Sequence, residues 1–363
     1  MITIVLGTRP EIIKMAPVIR ACRRAGAEYS ILHTGQHYSY EMDRVFFEEL
    51  ELPAPDHNLD VGSGSHAVQT GRIMAGIEKV LAEDGSDIVL VQGDTNTVLA
   101  GALTAAKLHI PIGHVEAGLR SFDRRMPEEI NRLVADHLAE YLFAPTTLAE
   151  GNLLAEGIGR EKIFVSGNTV VDAVFENWGI AKKRTGLLRT SSLLPQDYFL
   201  VTAHRAENVD VKARLKELIV GLNRLHELYS VPVIFPMHPR TQKMMKEFGI
   251  APGGIAITDP VGYLEFLELE GNARLVLTDS GGVQEEACIL NVPCVTLREN
   301  TERPETVDVG GNLLAGTSAD RIVAAAEKML LVARDWKNPY GDGKAGERIV
   351  GICKDTIRKT RRE

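Results

Sequence analysis

Cysteine is scarce in this 363-residue chain: Cys22, Cys288, Cys294 and Cys353 are the whole complement, and no two form a CxxC pair. Standing in apolar stretches, they read as free buried thiols, which excludes a disulfide-built scaffold and points to a reducing compartment. Long apolar runs are missing as well. None approaches the ~20 residues needed to span a bilayer, so no membrane partner is expected. The opening segment MITIVLGT reads as a strand without the basic and apolar regions of a secretory leader, and a cytoplasmic location is the expectation. Nor is there an excess of positive charge. With 41 Lys and Arg against 49 Asp and Glu, the formal charge is −8, which argues against a nucleic-acid partner. A phosphorylated small molecule stays open, because local donors decide its binding. Several signatures of cofactor and metal chemistry are absent too. GTRPEI stands after the first strand where a dinucleotide fold would carry GxGxxG. No GxxxxGK[ST], HExxH or GxSxG occurs. The expectation is therefore an enzyme or binding protein with no cofactor and no metal.

What is present is strand–helix alternation, the pattern of α/β architecture with largely parallel sheets. The first half offers ITIVLG, YSILHTG, DIVLVQGD, PIGHVEAG, YLFAPT and KIFVSG as strands, and a second series starts near residue 197 with DYFLVTAH. Between them, 168–196 is helical at first and then carries KKRTGLLRTSSLLPQ, a connecting segment. Two doubly wound, Rossmann-like domains facing each other are expected, 1–167 and 168–343, with ligands outside the carboxyl ends of the strands.

Polar residues gather where those strands finish. GTRPEIIK supplies Arg9 and Lys14, QGDTN supplies Asp94, GHVEAGLRS supplies His114, Glu116 and Arg120, and MPEEINR supplies Glu128 and Glu129. The second half adds His204, Arg205 and Glu207 from TAHRAEN, and His238 and Arg240 from MHPRT. Each has an ordinary explanation. Lys14 lies opposite Ile12, Ala16 and Ile19 on the wheel and could face solvent. Asp94 could cap the helix that follows, and Glu128 could be a first-turn acid. Ordinary explanations account poorly for acids, bases and cations at one edge of both halves.

The segment TDSGGVQEEA ends another strand. Gly281 and Gly282 fall in the first turn of a helix, where free N–H groups can receive an anion, and a simple turn capped by Ser280 is the equal alternative. At roughly 100° per residue, Glu286 falls beside Val283, Ala287 and Leu290 on the apolar face, and Glu285 falls on the far side.

In order along the chain, GTRPEIIKMAP, TGQH, QGDTNT, GHVEAGLRS, MPEEINR, VTAHRAEN, TDSGGVQEEA and TERPE resemble the non-hydrolysing UDP-N-acetylglucosamine 2-epimerases, from about residue 3 to 306. The resemblance implies the glycosyltransferase-B arrangement with an interdomain active-site cleft. It also implies a C-terminal helix, about 344–363, joining the first domain, and a homodimer. The implied reaction interconverts UDP-N-acetylglucosamine and UDP-N-acetylmannosamine without NAD or metal, through an enzyme-bound 2-acetamidoglucal. Carried over by residue, Asp94, Glu116 and Glu128 would transfer protons, with Lys14 and His204 as catalytic basic residues. Arg9, Ser280, Gly281, Gly282 and Glu286 would hold UDP, Val261 and Phe266 of TDPVGYLEF would border the uracil, and His238 and Arg303 would meet phosphate. Bacterial members carry part of a second, allosteric site after QH. Here Gln36 and His37 are followed by Tyr38, Ser39 and Tyr40, so activation by a second ligand is not carried over. Two alternatives remain: a glycosyltransferase of the same fold, and an epimerase for a C3-modified UDP-N-acetylhexosamine.

Overall fold

The structure is a computed structural model that describes residues 1–36, 40–184, 186 and 193–360. His37, Tyr38 and Ser39 of the GQHYSY segment and most of the connecting segment lie outside the described residues. Two compact units emerge, one of Met1–Glu176 with Tyr340–Glu363, the other of Asn177–Pro339. The division thus falls inside the helix Thr169–Arg184, a few residues beyond the boundary read from sequence.

In the first unit, β1 (Ile2–Leu6), β2 (Tyr29–His33), β3 (His57–Asn58), β4 (Ile88–Gln92), β5 (Ile112–Val115), β6 (Tyr141–Ala144) and β7 (Ile163–Val165) form one sheet. Its order is β3-β2-β1-β4-β5-β6-β7, and every pairing is parallel. The apolar runs of β1 and β4 are buried throughout, as strands covered on both faces must be. Val5, Val89 and Val91 pack on Ile73, Ile77 and Val98 of the covering helices. The helix Ala345–Thr360 returns to pack on Arg9–Arg24. Its start is held by Asp172, which accepts the N–H groups of Ala345 and Gly346 at 3.2 and 2.9 Å.

The second unit repeats the plan. β8 (Phe199–Thr202), β9 (Val233–Pro236), β10 (Ala256–Thr258), β11 (Leu275–Thr278), β12 (Cys294–Thr296) and β13 (Asn312–Leu314) run β10-β9-β8-β11-β12-β13, again all parallel. Both orders reverse beside the first strand of the unit, the switch point at which doubly wound sheets bind ligands. The cysteines are free and buried, and no helix among the described residues is long and apolar enough to cross a membrane.

Candidate functional site

Register decides which side chains meet in the first unit. Gln92 at the end of β4 pairs with Val115 at the end of β5, so Asp94 and Glu116 emerge from adjacent turns. Lys14 does not face solvent. Its Nζ donates to both oxygens of Glu116 at 2.7 and 2.8 Å, and Gln92 also donates to that carboxylate. Glu116 has φ +70, a left-handed conformation costly for a residue with a Cβ and common where geometry serves a site. Asp94 does not cap the following helix. Thr95 does, accepting from Val98 N–H at 3.4 Å, which frees the Asp94 carboxylate to accept from Arg132 Nε at 3.0 Å. Asn131 donates to the Asp94 carbonyl at 2.8 Å.

Glu128 lies in the first turn of the helix Pro127–Leu138, and its side chain makes no hydrogen bond or ion pair among the described residues. With Asp94 it lines a cavity of about 360 Å³ bordered also by Gln36, Gln69 and Asn131. Its neighbour Glu129 turns inward and accepts from Ser121, Phe122 and Arg132. Burial opposes ionisation there, but those bonds hold the carboxyl below its ordinary range. Arg9 pairs with Asp43 at 3.3 Å and lies 4.8 Å over the Phe46 ring.

Sequence reasoning overlooked Glu11, although Thr8-Arg9-Pro10-Glu11 has the spacing of a capping box. The buried Glu11 carboxylate accepts from Thr8 N–H at 2.9 Å, from Gly7 N–H and from the Thr95 hydroxyl, tying the β1 turn to the β4 turn. Burial pushes its carboxyl up to about 7, against an ordinary 4.5. Between those values the folded state binds more protons than the unfolded one. Glu11 therefore contributes stability that is complete below pH 4.5 and is lost as pH rises through about 7. Urea titrations at several pH values should show the wild type losing stability relative to Glu11→Gln across this window. A constant difference between the two proteins would contradict the shifted titration.

In the second unit, Asp279 organises the ends of β8 and β11. Buried, it accepts from the backbone N–H groups of His204 and Arg205 and from the Asn208 amide, with His204 Nδ1 3.4 Å away. The rings of His204 and His238 lie 6.0 Å apart. His238 caps the helix Pro239–Phe248, its Nδ1 accepting from Arg240 N–H at 3.1 Å. Partial burial, with the charges of His204 and Arg240, lowers its proton affinity, so the ring offers Nε2–H as a neutral donor.

Ser280 precedes the helix Gly281–Ile289 and makes no side-chain cap. A Cβ at Gly281 or Gly282 would meet nothing nearer than 4.0 Å, so packing within the chain does not demand glycine at either position. Glu285 overturns the helical wheel: it is 1% exposed and ion-paired with Arg303 at 2.7 Å. The wheel assumed one covered face, whereas this helix packs on the sheet and also on the helix Pro304–Asp308. Glu286 does lie beside Val283 and Leu290, which pack on Leu200, Val276 and Ala287 together with Val261 and Phe266. Tyr263 donates to Glu286 at 3.2 Å. Glu270, fully buried next to it, is pushed far above the carboxylate range by burial and by the Glu286 charge.

Two doubly wound sheets, one with carboxylates gathered at its strand ends and the other with an uncapped helix N-terminus, define an α/β protein with polar sites at the carboxyl ends of its strands. A family model described as UDP-N-acetylglucosamine 2-epimerase matches residues 20–354. The chain is 58% identical to the UDP-N-acetylglucosamine 2-epimerase of Methanocaldococcus jannaschii, over 97% of this chain and 98% of that one. It is 43% identical to the UDP-2,3-diacetamido-2,3-dideoxy-D-glucuronate 2-epimerase of Pseudomonas aeruginosa, over 95% and 97% of the two chains. The crystal structure of the M. jannaschii enzyme in complex with UDP-GlcNAc and UDP matches with TM-score 0.86 at 57% identity, covering 98% of this chain and 99% of that one. The chain belongs to the UDP-N-acetylglucosamine 2-epimerase family and is an isomerase with the glycosyltransferase-B-like fold.

Proposed function

We propose that this protein interconverts UDP-N-acetylglucosamine and UDP-N-acetylmannosamine by eliminating UDP across C1–C2 and adding it back. The observation that carries the reading is the set of carboxylates in the first unit, Asp94 and Glu128 on one cavity with the Lys14-paired Glu116 on the turn adjacent to that of Asp94. Inversion at C2 requires proton acceptors and donors for both faces of that carbon, which one carboxylate on one face cannot supply. A base removes the C2 proton, the C–H electrons form the C1=C2 bond, and the C1–O bond breaks with its electron pair on UDP. Re-addition with the proton delivered to the opposite face gives the epimer. Lys14 orients the Glu116 carboxylate.

UDP leaves as an anion, so N–H donors and cations must meet its pyrophosphate. Gly281 and Gly282 at the helix N-terminus, with Ser280, His204, Nε2–H of His238, Arg9 and Arg303, are the groups assigned to it. Glu286 accepts from the ribose hydroxyls, with Val261 and Phe266 beside the uracil. Glu286→Ala is then expected to weaken UDP binding by about 10- to 150-fold, the cost of losing a charged hydrogen-bond partner. Glu270→Gln, which copies a protonated acid, should leave it near wild type. Titration calorimetry checks both, and normal UDP affinity in Glu286→Ala would remove the ribose from that position.

Incubation with UDP-N-acetylglucosamine in deuterated water tests the reaction itself. The recovered nucleotide sugars should contain both epimers with deuterium at C2 and no free N-acetylmannosamine. Recovery without deuterium would end the epimerase reading in favour of sugar transfer. The 43% identity to an epimerase whose name specifies a 2,3-diacetamido sugar favours one second reading, a C3-modified substrate, and the same incubation with that nucleotide sugar compares the two rates. The assembly taken with this reading is a homodimer, to be checked by light scattering.

A further inference from the structure

His114, in β5, is fully buried with an acceptor at each ring nitrogen. Nδ1 lies 2.6 Å from Asp136 Oδ1, and Nε2 lies 2.8 Å from the Gly93 carbonyl oxygen. A neutral imidazole has one N–H and one lone pair, so one of these contacts would set a lone pair against an oxygen. Only the imidazolium donates to both. Its sheet neighbours Val91 and Leu142 carry no charge, so the facing groups are Asp136 from the helix Pro127–Leu138 and Arg120 from the turn after β5. Asp136 also accepts from Gly118 N–H at 3.2 Å and pairs with Arg120 at 2.7 Å, and Arg120 closes on Glu156 at 2.7 and 2.6 Å. Two cations and two anions balance inside the fold. Burial works against the His114 proton, but Asp136 and the Gly93 carbonyl outweigh it and hold the ring above its ordinary value.

The anchor points of this network are the backbones of the two acid-bearing turns. Gly93 (φ +84) immediately precedes Asp94, and Gly118 (φ +83) follows Glu116 by two residues. Asp136 stands on the helix Pro127–Leu138, two turns beyond Glu128. We infer that His114 is a positioning residue, a buried imidazolium that locks the Asp94 and Glu116 turns to the Glu128 helix and so sets the spacing of the three acids. The inference rests on the epimerisation proposed above. A misplacement of about 1 Å in such a group costs about 10²-fold in rate.

Two measurements test it. In protein labelled with ¹⁵N at histidine, with His114 assigned by its loss in His114→Gln, both ring nitrogens should carry protons and imidazolium shifts at pH 8, where an exposed histidine is neutral. A neutral His114 at that pH would overturn the inference, whether or not the variant folds. In His114→Gln, kcat for C2 deuterium exchange should fall about 10²-fold while KM and UDP affinity stay within about twofold. Equal loss in kcat and UDP affinity would indicate general disruption and also overturn it. If wild type exchanges deuterium and the variant matches it, only the role of His114 falls. If wild type exchanges none, the epimerase reading fails first and takes this role with it.

Discussion

In Glu128→Gln, deuterium exchange at C2 of UDP-N-acetylglucosamine is expected to fall by about 10²–10⁴-fold, the contribution of a positioned acid or base, with the urea midpoint unchanged. The two halves of this expectation have separate grounds. Activity should fall because an amide of the same shape neither takes nor gives a proton at the reacting carbon. Stability should hold because Glu128 makes no hydrogen bond or ion pair among the described residues and is partly exposed. Changes at such positions lie within about 0.5 kcal/mol. A carboxylate left uncommitted on a polar cavity is what a proton-transfer group requires, and a helix-stabilising first-turn acid would behave oppositely. Full exchange in Glu128→Gln with lowered stability would assign the residue to the helix dipole and not to the chemistry.

Lys14→Met is expected to cost about 3–5 kcal/mol of stability as well as activity, as breaking a buried ion pair by removing one partner does. The side chains of Lys14 and Glu116 are only 15% and 4% exposed, so the orphaned carboxylate cannot recover hydration. The left-handed turn at Glu116 further limits its escape. Adding Glu116→Gln to Lys14→Met removes the stranded charge, and the double variant should regain most of the stability while remaining inactive. A double-mutant cycle by urea denaturation, with C2 exchange measured on each protein, checks this. If Lys14→Met were as stable as wild type, the pair would be a solvated one and Lys14 would contribute through the substrate alone.

These expectations depend on contacts that were legible to different degrees. The parallel strands could be read from runs such as ITIVL and DIVLV, because a strand covered on both faces must be apolar at every position. β3 and β13 were not legible: two and three residues, His57–Asn58 and Asn312–Leu314, carry no period to detect. The acids at the strand ends could be picked out because carboxylates, cations and histidines recurred at the same topological edge. Glu285 was misjudged because a helical wheel knows one face and this helix is covered on two. Asp136 was passed over because His114 lies 22 residues away in the chain, and for Glu11 the capping-box spacing showed the local contact to Thr8 but not the one to Thr95, 84 residues on.

By itself the sequence determined the α/β class, the family and the acids, bases and cations present at the strand ends, since local pattern and motif order depend only on neighbours along the chain. Tertiary structure alone decided that Lys14 points at Glu116, that Asp94 answers to Arg132, that Glu128 makes no hydrogen bond or ion pair among the described residues and that His114 lies between two acceptors. Each of these depends on strand register and on which groups lose water together, and charge and burial at one position are set by residues distant in sequence.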